Sequence, residues 1–550
     1  MSNTYDEYIP TISDRSNWTL PYVLNLRAST HKNSVYLEIP DSNIKYTFGE
    51  IYDQASLIGS GLLNRGHEFG DRIAIMMPNR AEYILGWFGC GLAGLAEVPI
   101  NTAYRGPFLE HQIRTVCPTG LIVHDSFVDR FVESADACSS FKKIYLVGDE
   151  QTDLDVAMSK LKDAGFDTEL FSDLLLSERV KLPSVSAKDL ASVFFTSGTT
   201  GLSKGVTMTH AHMFFEADEC VSLTRLTDRD CYMSVGPLFH GNAQFLAAYP
   251  ALLAGAKFVL HKKFSASRWS KWILDSGATV TNFVGVMMDF VWKQEPSSED
   301  SMNKLRCIFA APTASSIVDG FKKRFGIERF VEVFGLTETS MPIMTPYDSE
   351  RPAGAVGKAV SSWFDVLLAN PETDEEVADG ELGELLVRPR FPFTMTVGYF
   401  GMPEKTTEAL RNCWFHTGDG LRRDGDGWYY FVDRLKDSIR KRGENISSYE
   451  VEQAILQNES IKECAVIAVP AEQEAGEDEV MAFLVPVPGK EISPAEVWEY
   501  CERNLPYFAI PRYLRFINEL PKTPSEKVQK AILRESGKDL STHDLNLNPL

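Results

Sequence analysis

The chain has no two cysteines close enough to form a Cys-x-x-Cys pair. Its nine cysteines are scattered at Cys90, Cys117, Cys138, Cys220, Cys231, Cys307, Cys413, Cys464 and Cys501. An odd count at such wide spacing argues against a disulfide framework or a structural zinc cage, and fits reduced thiols in a cytoplasmic setting. No secretory leader is expected either, because Met1–Ile12 is polar and acidic with no basic stretch leading into an apolar run. Long hydrophobic runs are absent as well. The most apolar stretch, Ile84–Ala96, is too short to span a bilayer and is bracketed by Arg80, Glu82 and Glu97. It reads as a buried helix, and no transmembrane segment is expected. Positive charge is scarce: 55 Lys and Arg stand against 76 Asp and Glu, a net charge of −21. That balance argues against nucleic acid as a partner, since binding it needs a basic surface. An anionic ligand must therefore be held by a local positive site against the overall field. No Walker phosphate loop is present, because no Gly-Lys pair completes the Gly-x4-Gly-Lys-[Ser/Thr] spacing.

A chain of 550 residues is too long for one hydrophobic core, so two or more domains are expected. Its 44% apolar and 24% charged residues are ordinary for a globular protein. Short β-branched runs alternate with helical patterns, as in Arg72–Met77 before Ala81–Leu95 and Ala191–Thr196 before His210–Leu223. Such alternation predicts an α/β fold with parallel or mixed sheets covered by helices. The last quarter differs. Ser447 and Glu450 read as a capping box, two strand-like runs follow at Cys464–Pro470 and Glu479–Val487, and Ser493-Pro494-Ala495-Glu496 opens another helix that Pro506 closes. This predicts a small α+β domain over 433–550 after a large N-terminal domain over 1–432. The boundary is expected near 433–437, past the turn-rich Asp424–Gly427. The polar tail beyond Lys538 is expected to fray.

The strongest local signal is Thr196-Ser197-Gly198-Thr199-Thr200-Gly201-Leu202-Ser203-Lys204-Gly205. Its ten residues hold three glycines, five hydroxyls and one lysine, directly after a strand-like run. Glycines let backbone N–H groups approach an anion, hydroxyls add donors, and Lys204 adds charge. The pattern points to a phosphate-holding loop of a non-Walker kind.

This loop resembles the signature of the adenylate-forming superfamily of acyl-CoA synthetases, carrier-loading adenylation domains and luciferases. The resemblance runs from about residue 45 to residue 535 through further motifs in the family's order. Phe334-Gly335-Leu336-Thr337-Glu338-Thr339 resembles its second nucleotide motif, which implies that Phe334 stacks on adenine, Thr337 contacts the α-phosphate and Glu338 holds Mg²⁺. Trp414–Asp419 resembles its Thr-Gly-Asp motif, with Asp419 accepting from the ribose hydroxyls. The segment from Asp433 to Asn445 resembles the hinge motif, with Arg434 at the ribose and Lys436 at the hinge itself. Five basic residues crowd Arg434–Arg442 against one acid, and Arg440, Lys441, Arg442 and Gly443 are the implied coenzyme A segment. Pro521–Lys527 resembles the C-terminal motif of the catalytic lysine, here Lys527, although Glu526 stands where the family usually has glycine. Pro237-Leu-Phe-His240, with Val284, Gly285, Ala310, Ala311 and Pro312, falls where the family builds its acyl pocket. Those residues are small or apolar, and Asp289 is the only charge flanking them. In such relatives the small C-terminal domain is mobile and rotates between steps. The overall pattern, with Asn101–Gly106 and Glu526–Lys530, looks most like the crotonobetaine/carnitine-CoA ligase-like subgroup.

The implied activity is attack of a small-molecule carboxylic acid on the α-phosphate of ATP, giving an acyl-adenylate and pyrophosphate, followed by transfer to coenzyme A with release of AMP. The co-substrates and cofactors implied are ATP, Mg²⁺ and coenzyme A. No enzyme nucleophile is needed, so the absence of a Ser-His-Asp or Cys-His pattern is consistent with the scheme. Two other readings remain open at this point: loading of a carrier protein's phosphopantetheine, and a non-catalytic nucleotide-binding relative. The sequence identifies neither the acyl group nor the oligomeric state.

Overall fold

The alternation of short apolar runs and helical patterns resolves into three seven-stranded sheets and a smaller four-stranded one among the described residues. The computed structural model describes residues 5, 8–149, 152–196, 203–311, 313, 317–435, 439–441, 444–446, 448–471, 478–505, 509–523 and 526–545, excepting the side chains of 284–286, 440, 444–445 and 450.

The first sheet runs in the order Thr168–Leu170, Lys143–Val147, Gly120–His124, Arg72–Met76, Ala96–Pro99, Leu190–Thr196, Lys204–Thr209. All neighbours are parallel except the last pair. The second sheet is likewise parallel from Arg329–Val331 through Cys307–Ala311, Val280–Val284, Cys231–Ser234 and Lys257–Leu260 to Val35–Ile39, with Ile44–Thr47 added antiparallel. Parallel strands buried on both faces read as continuous apolar runs, and the helix Ala81–Leu92 packed among them is buried at every position but Glu82. It therefore needs no polar face. Where helices do reach solvent their ends are capped from the sequence: Thr47 and Glu50 close a reciprocal box on the helix Phe48–Asn64, an arrangement that stabilises a helix start by about 1 kcal/mol.

Two features depart from the sequence reading. The run 191–196 does not lead straight to the helix at 210. A further strand, Lys204–Thr209, turns back antiparallel on Leu190–Thr196, so the phosphate-loop motif is the tip of a hairpin. The third sheet, from Val333–Leu336 to Phe364–Ala369, is antiparallel throughout. It carries Phe334–Glu338 at one edge and pairs Phe415–Arg423 with Tyr429–Arg434 in its middle.

The C-terminal part packs three helices, Ser448–Leu456, Pro494–Asn504 and Lys530–Ser536, with the sheet of Ile461–Pro470, Asp478–Pro486, Tyr513–Phe516 and His543–Asp544. Ser493 and Glu496 form the expected reciprocal cap. The other expected box lies outside the described residues, since neither Ser447 nor the Glu450 side chain is among them. The N-terminus of the helix Ser448–Leu456 is instead met by Asp433, which accepts from the Ser448 N–H at 2.8 Å and its hydroxyl at 2.5 Å. The tail is not frayed as far as residue 545. His543–Asp544 adds an antiparallel strand to Tyr513–Phe516, Asp544 pairs with Arg512 at 3.1 Å, and Leu545 packs on the small core. A short polar strand anchored by one ion pair carries too few apolar residues to be visible as a strand in sequence. Among the described residues no helix is long and apolar enough to cross a membrane.

Candidate active site

The hairpin sets the phosphate motif at the carboxyl end of an interior parallel strand, where open α/β sheets place ligands. Its stems bring Thr196 opposite Lys204, and the Thr196 hydroxyl donates to the Lys204 carbonyl at 3.5 Å. Ser197, Gly198, Thr199, Thr200 and Gly201 lie outside the described residues.

Lys204 is half-buried, and its Nζ donates to the Tyr399 hydroxyl at 3.0 Å while lying 4.1 Å from that ring's centroid. The same hydroxyl donates to Glu338 Oε1 at 3.0 Å. The phosphate-loop lysine and the expected metal carboxylate therefore converge on one phenol, 195 residues from the lysine in sequence. Tyr399 went unread in the sequence because no spacing links it to either motif. Its only signal is an aromatic residue set within Gly398-Tyr-Phe-Gly401. Burial raises the Tyr399 phenol well above its ordinary value, with Glu338 adding to the effect. Behind Glu338 lies a second carboxyl that the sequence did not flag: Glu216, which burial and then Glu338 push up to about 8.

The turn that aims Glu338 depends on Gly335. A Cβ there would meet the Ser340 carbonyl oxygen at 2.4 Å, inside any tolerable contact with backbone. Thr337 is half-buried beside it. Phe334 is buried and lies nearly parallel to Phe431, with centroids 6.3 Å apart. Asp419 and Arg434 are register partners on adjacent strands, and their side chains pair at 3.2 Å. Asp419 is only 2% exposed. Burial lifts its carboxyl from 3.8 to about 6, against the pull of Arg434 and Lys527.

Lys527 reaches the same cleft from the small domain. Its backbone N–H donates to the Thr523 hydroxyl at 3.1 Å and its carbonyl accepts from the Thr523 N–H at 2.7 Å, closing a tight loop. The residue is exposed at the surface. Desolvation of the ammonium by the surrounding protein, and then Arg434, lower its pKa, while Asp419 and Glu338 oppose the shift. His240 feels Lys527 as well: burial first, and the lysine's charge second, lower it to about 4. Its Nδ1 accepts from the Asn242 N–H at 3.2 Å, at the start of the turn Gly241–Ala243. Glu526 has φ +62, the left-handed conformation that suits glycine.

The expected acyl segments are neighbours, with Phe283 beside Ala310 and Val284 beside Ala311 on adjacent parallel strands. Gly285 starts the helix Gly285–Trp292. Ala310 is wholly buried and packs in a core cluster with Phe283 and Met288, whereas Ala311 at the strand end is half-buried. Pro312 lies outside the described residues, and so does the side chain of Val284. Asp289 is half-buried, and burial raises its carboxyl. The basic segment divides. Arg440 pairs with Asn445 in a short hairpin, and Lys441 is held by Glu479 of the small domain's own sheet at 2.9 Å. Lys436, Arg442 and Gly443 are not among the described residues. No group of three or more His, Cys, Asp or Glu that could hold a metal occurs among the described residues. A buried carboxylate such as Glu338 fits the way Mg²⁺ is bound, through one or two carboxylates and the phosphates of a substrate.

The AMP-binding enzyme family matches residues 25–400, and the AMP-binding enzyme C-terminal domain matches residues 450–527. A crotonobetaine/carnitine–CoA ligase of Salmonella paratyphi A is 30% identical over 501 residues, covering 89% of this chain and 93% of the relative. ATP-bound MatB from Rhodopseudomonas palustris superposes with a TM-score of 0.81 at 26% identity, over 96% of this chain and all of that one. The anthranilate CoA ligase AuaEII, solved with anthranoyl-AMP, shares the fold at a TM-score of 0.82 and 23% identity, over 95% and 97% of the two chains.

Proposed function

This chain belongs to the AMP-binding enzyme family, and from that premise we propose that it is an ATP-dependent acyl-CoA ligase whose two half-reactions share the cleft between its large and small domains. The observation that carries the proposal is the electrostatic coupling of Lys527, from the small domain, with Asp419, Glu338 and His240 of the large one and with Arg434 at the boundary between them.

A carboxylate cannot expel oxide, so the acid must first be given a leaving group. Attack of its oxygen on the α-phosphate of ATP forms a mixed anhydride and releases pyrophosphate. A thiolate then attacks the acyl carbon and AMP departs. The protein's task is to hold the reactants in line and to stabilise charge as it moves. Thr196 and Lys204 flank the loop that receives the triphosphate, Phe334 offers its ring to adenine, and Asp419 with Arg434 fixes the ribose. Thr337 contacts the α-phosphate, and Lys527 stabilises the negative charge that develops there. Glu338 would hold Mg²⁺, which would neutralise the phosphate charge. His240, Val284, Gly285, Ala311 and Pro312 border the acyl group, and Ala310 supports them from the core. After adenylation the small domain turns about Lys436, bringing the segment Arg440–Gly443 to the coenzyme A side. A cytoplasmic location belongs to the same proposal, supported by nine cysteines that are all unpaired.

Incubation with ATP, Mg²⁺, coenzyme A and a panel of acids tests the activity through acid-dependent AMP release. Glu338→Ala tests the site: acid-dependent exchange of labelled pyrophosphate into ATP should fall about 10²- to 10³-fold, the usual cost of removing one preorganised electrostatic group. Exchange within a few fold of wild type would remove Glu338 from the role.

A further inference from the structure

We propose that Tyr399 is a positioning residue that keeps the phosphate-loop lysine and the metal-binding carboxylate from pairing with each other, and so holds open the place of the Mg²⁺-bearing end of the triphosphate. The inference rests on the ligase reading above and adds a residue that reading does not contain.

Lys204 Nζ and Glu338 Oε1 each lie 3.0 Å from the same phenolic oxygen. A phenol has one proton to give and lone pairs to receive, so the relay has one direction: ammonium to oxygen, hydroxyl to carboxylate. The ring lies against the ammonium, 4.1 Å from its centroid, and restricts its swing toward Glu338. Tyr399 is itself held in place by its backbone. Its N–H donates to the Thr406 hydroxyl at 2.9 Å. On one side Thr396 N–H donates to the Glu338 carbonyl at 2.9 Å; on the other Phe400 N–H reaches the Gly205 carbonyl at 2.7 Å and Thr207 N–H the Gly398 carbonyl at 3.0 Å. The segment 396–400 is thus a strap bonded at one end to the backbone of the metal motif and at the other to the strand leaving the phosphate loop. Without the hydroxyl, an ammonium and a carboxylate facing each other in a half-buried site collapse into a direct ion pair. MgATP must then break that pair to bind. AMP, which lacks the terminal phosphates and the metal, does not have to.

Tyr399→Phe removes one oxygen atom and leaves the ring and strap in place. Calorimetric titration of the full-length protein with MgATP and, separately, with AMP is the test. The dissociation constant for MgATP should rise roughly ten- to a hundredfold, the scale of a hydrogen bond to a charged group, while that for AMP changes less than about twofold. In a Lys204→Met background, where no ion pair can form, the same substitution should cost MgATP less than about threefold. Parallel weakening of MgATP and AMP, an unchanged MgATP affinity, or a full effect in the Lys204→Met background each overturns the assignment. Wild-type protein that binds no MgATP overturns the ligase reading itself.

Discussion

Asp419, proposed above to hold the ribose, should make nucleoside binding depend on pH in a way that can be worked out from its surroundings. The carboxyl is 2% exposed and pairs with Arg434 at 3.2 Å. Burial outweighs that contact and lifts its pKa from 3.8 to about 6, a penalty on the charged form on the order of 3 kcal/mol. Ribose hydroxyls donate to a carboxylate, so the nucleoside selects the ionised form, and bound ligand pulls the pKa back down. Above about pH 7 Asp419 is already ionised and affinity is flat. As pH falls through about 6 a proton must be expelled on binding, and affinity should drop toward tenfold per pH unit, leaving it roughly tenfold weaker at pH 5 than at pH 7. Adenosine is the ligand to use, because it carries the ribose without a phosphate that titrates in the same range. Calorimetry in two buffers of different ionisation heat counts the protons released. Asp419→Asn should bind weakly at every pH and lose the slope. A wild-type dissociation constant that moves less than twofold between pH 7.5 and pH 5 refutes the reasoning, as does a slope that survives in Asp419→Asn.

Lys527→Ala should cripple pyrophosphate exchange yet spare transfer from a supplied acyl-adenylate to coenzyme A, and Gly443→Leu should do the reverse. Loss of both half-reactions in each folded variant would refute the alternation of the small domain. Glu526→Gly should be close to neutral or mildly stabilising, since relief of a left-handed residue, worth about 1 kcal/mol, exceeds the loss of an exposed pair to Lys522. Glu526→Val should lower the melting temperature and slow adenylation, and a Val variant as stable as the Gly one would show that the turn is not strained. Straight-chain acids should gain in kcat/KM with each methylene, by roughly 0.8 kcal/mol while the pocket has room. A clear preference for carnitine would overturn the expectation of an uncharged tail.

Much of this architecture was legible because its signals are local. The alternation at 72–95 and the Ser493–Glu496 box each depend on residues a few positions apart, and both elements form where the pattern put them. What escaped was set by partners distant in the chain. The strand Lys204–Thr209 is short, and its pairing with Leu190–Thr196 is decided by the sheet it joins. Tyr399 gains its place only when the third sheet brings the strap past the phosphate hairpin, and Glu216 becomes notable only once Glu338 is folded against it. Gly335 is the intermediate case. The motif marked it, but the reason, a carbonyl that leaves no space for a methyl group, is a property of the folded turn.

The strand His543–Asp544 covers the open side of Tyr513–Phe516 at Tyr513 and Leu514. A sheet edge with free N–H and C=O groups is a template for another chain, and a domain proposed to swing through solvent would present that template repeatedly. A two-residue strand held by the Arg512–Asp544 pair is too short to recruit a neighbour and long enough to occupy the site. Removal of residues 543–545 is therefore expected to be felt first as concentration-dependent aggregation, read by light scattering, rather than as slower chemistry.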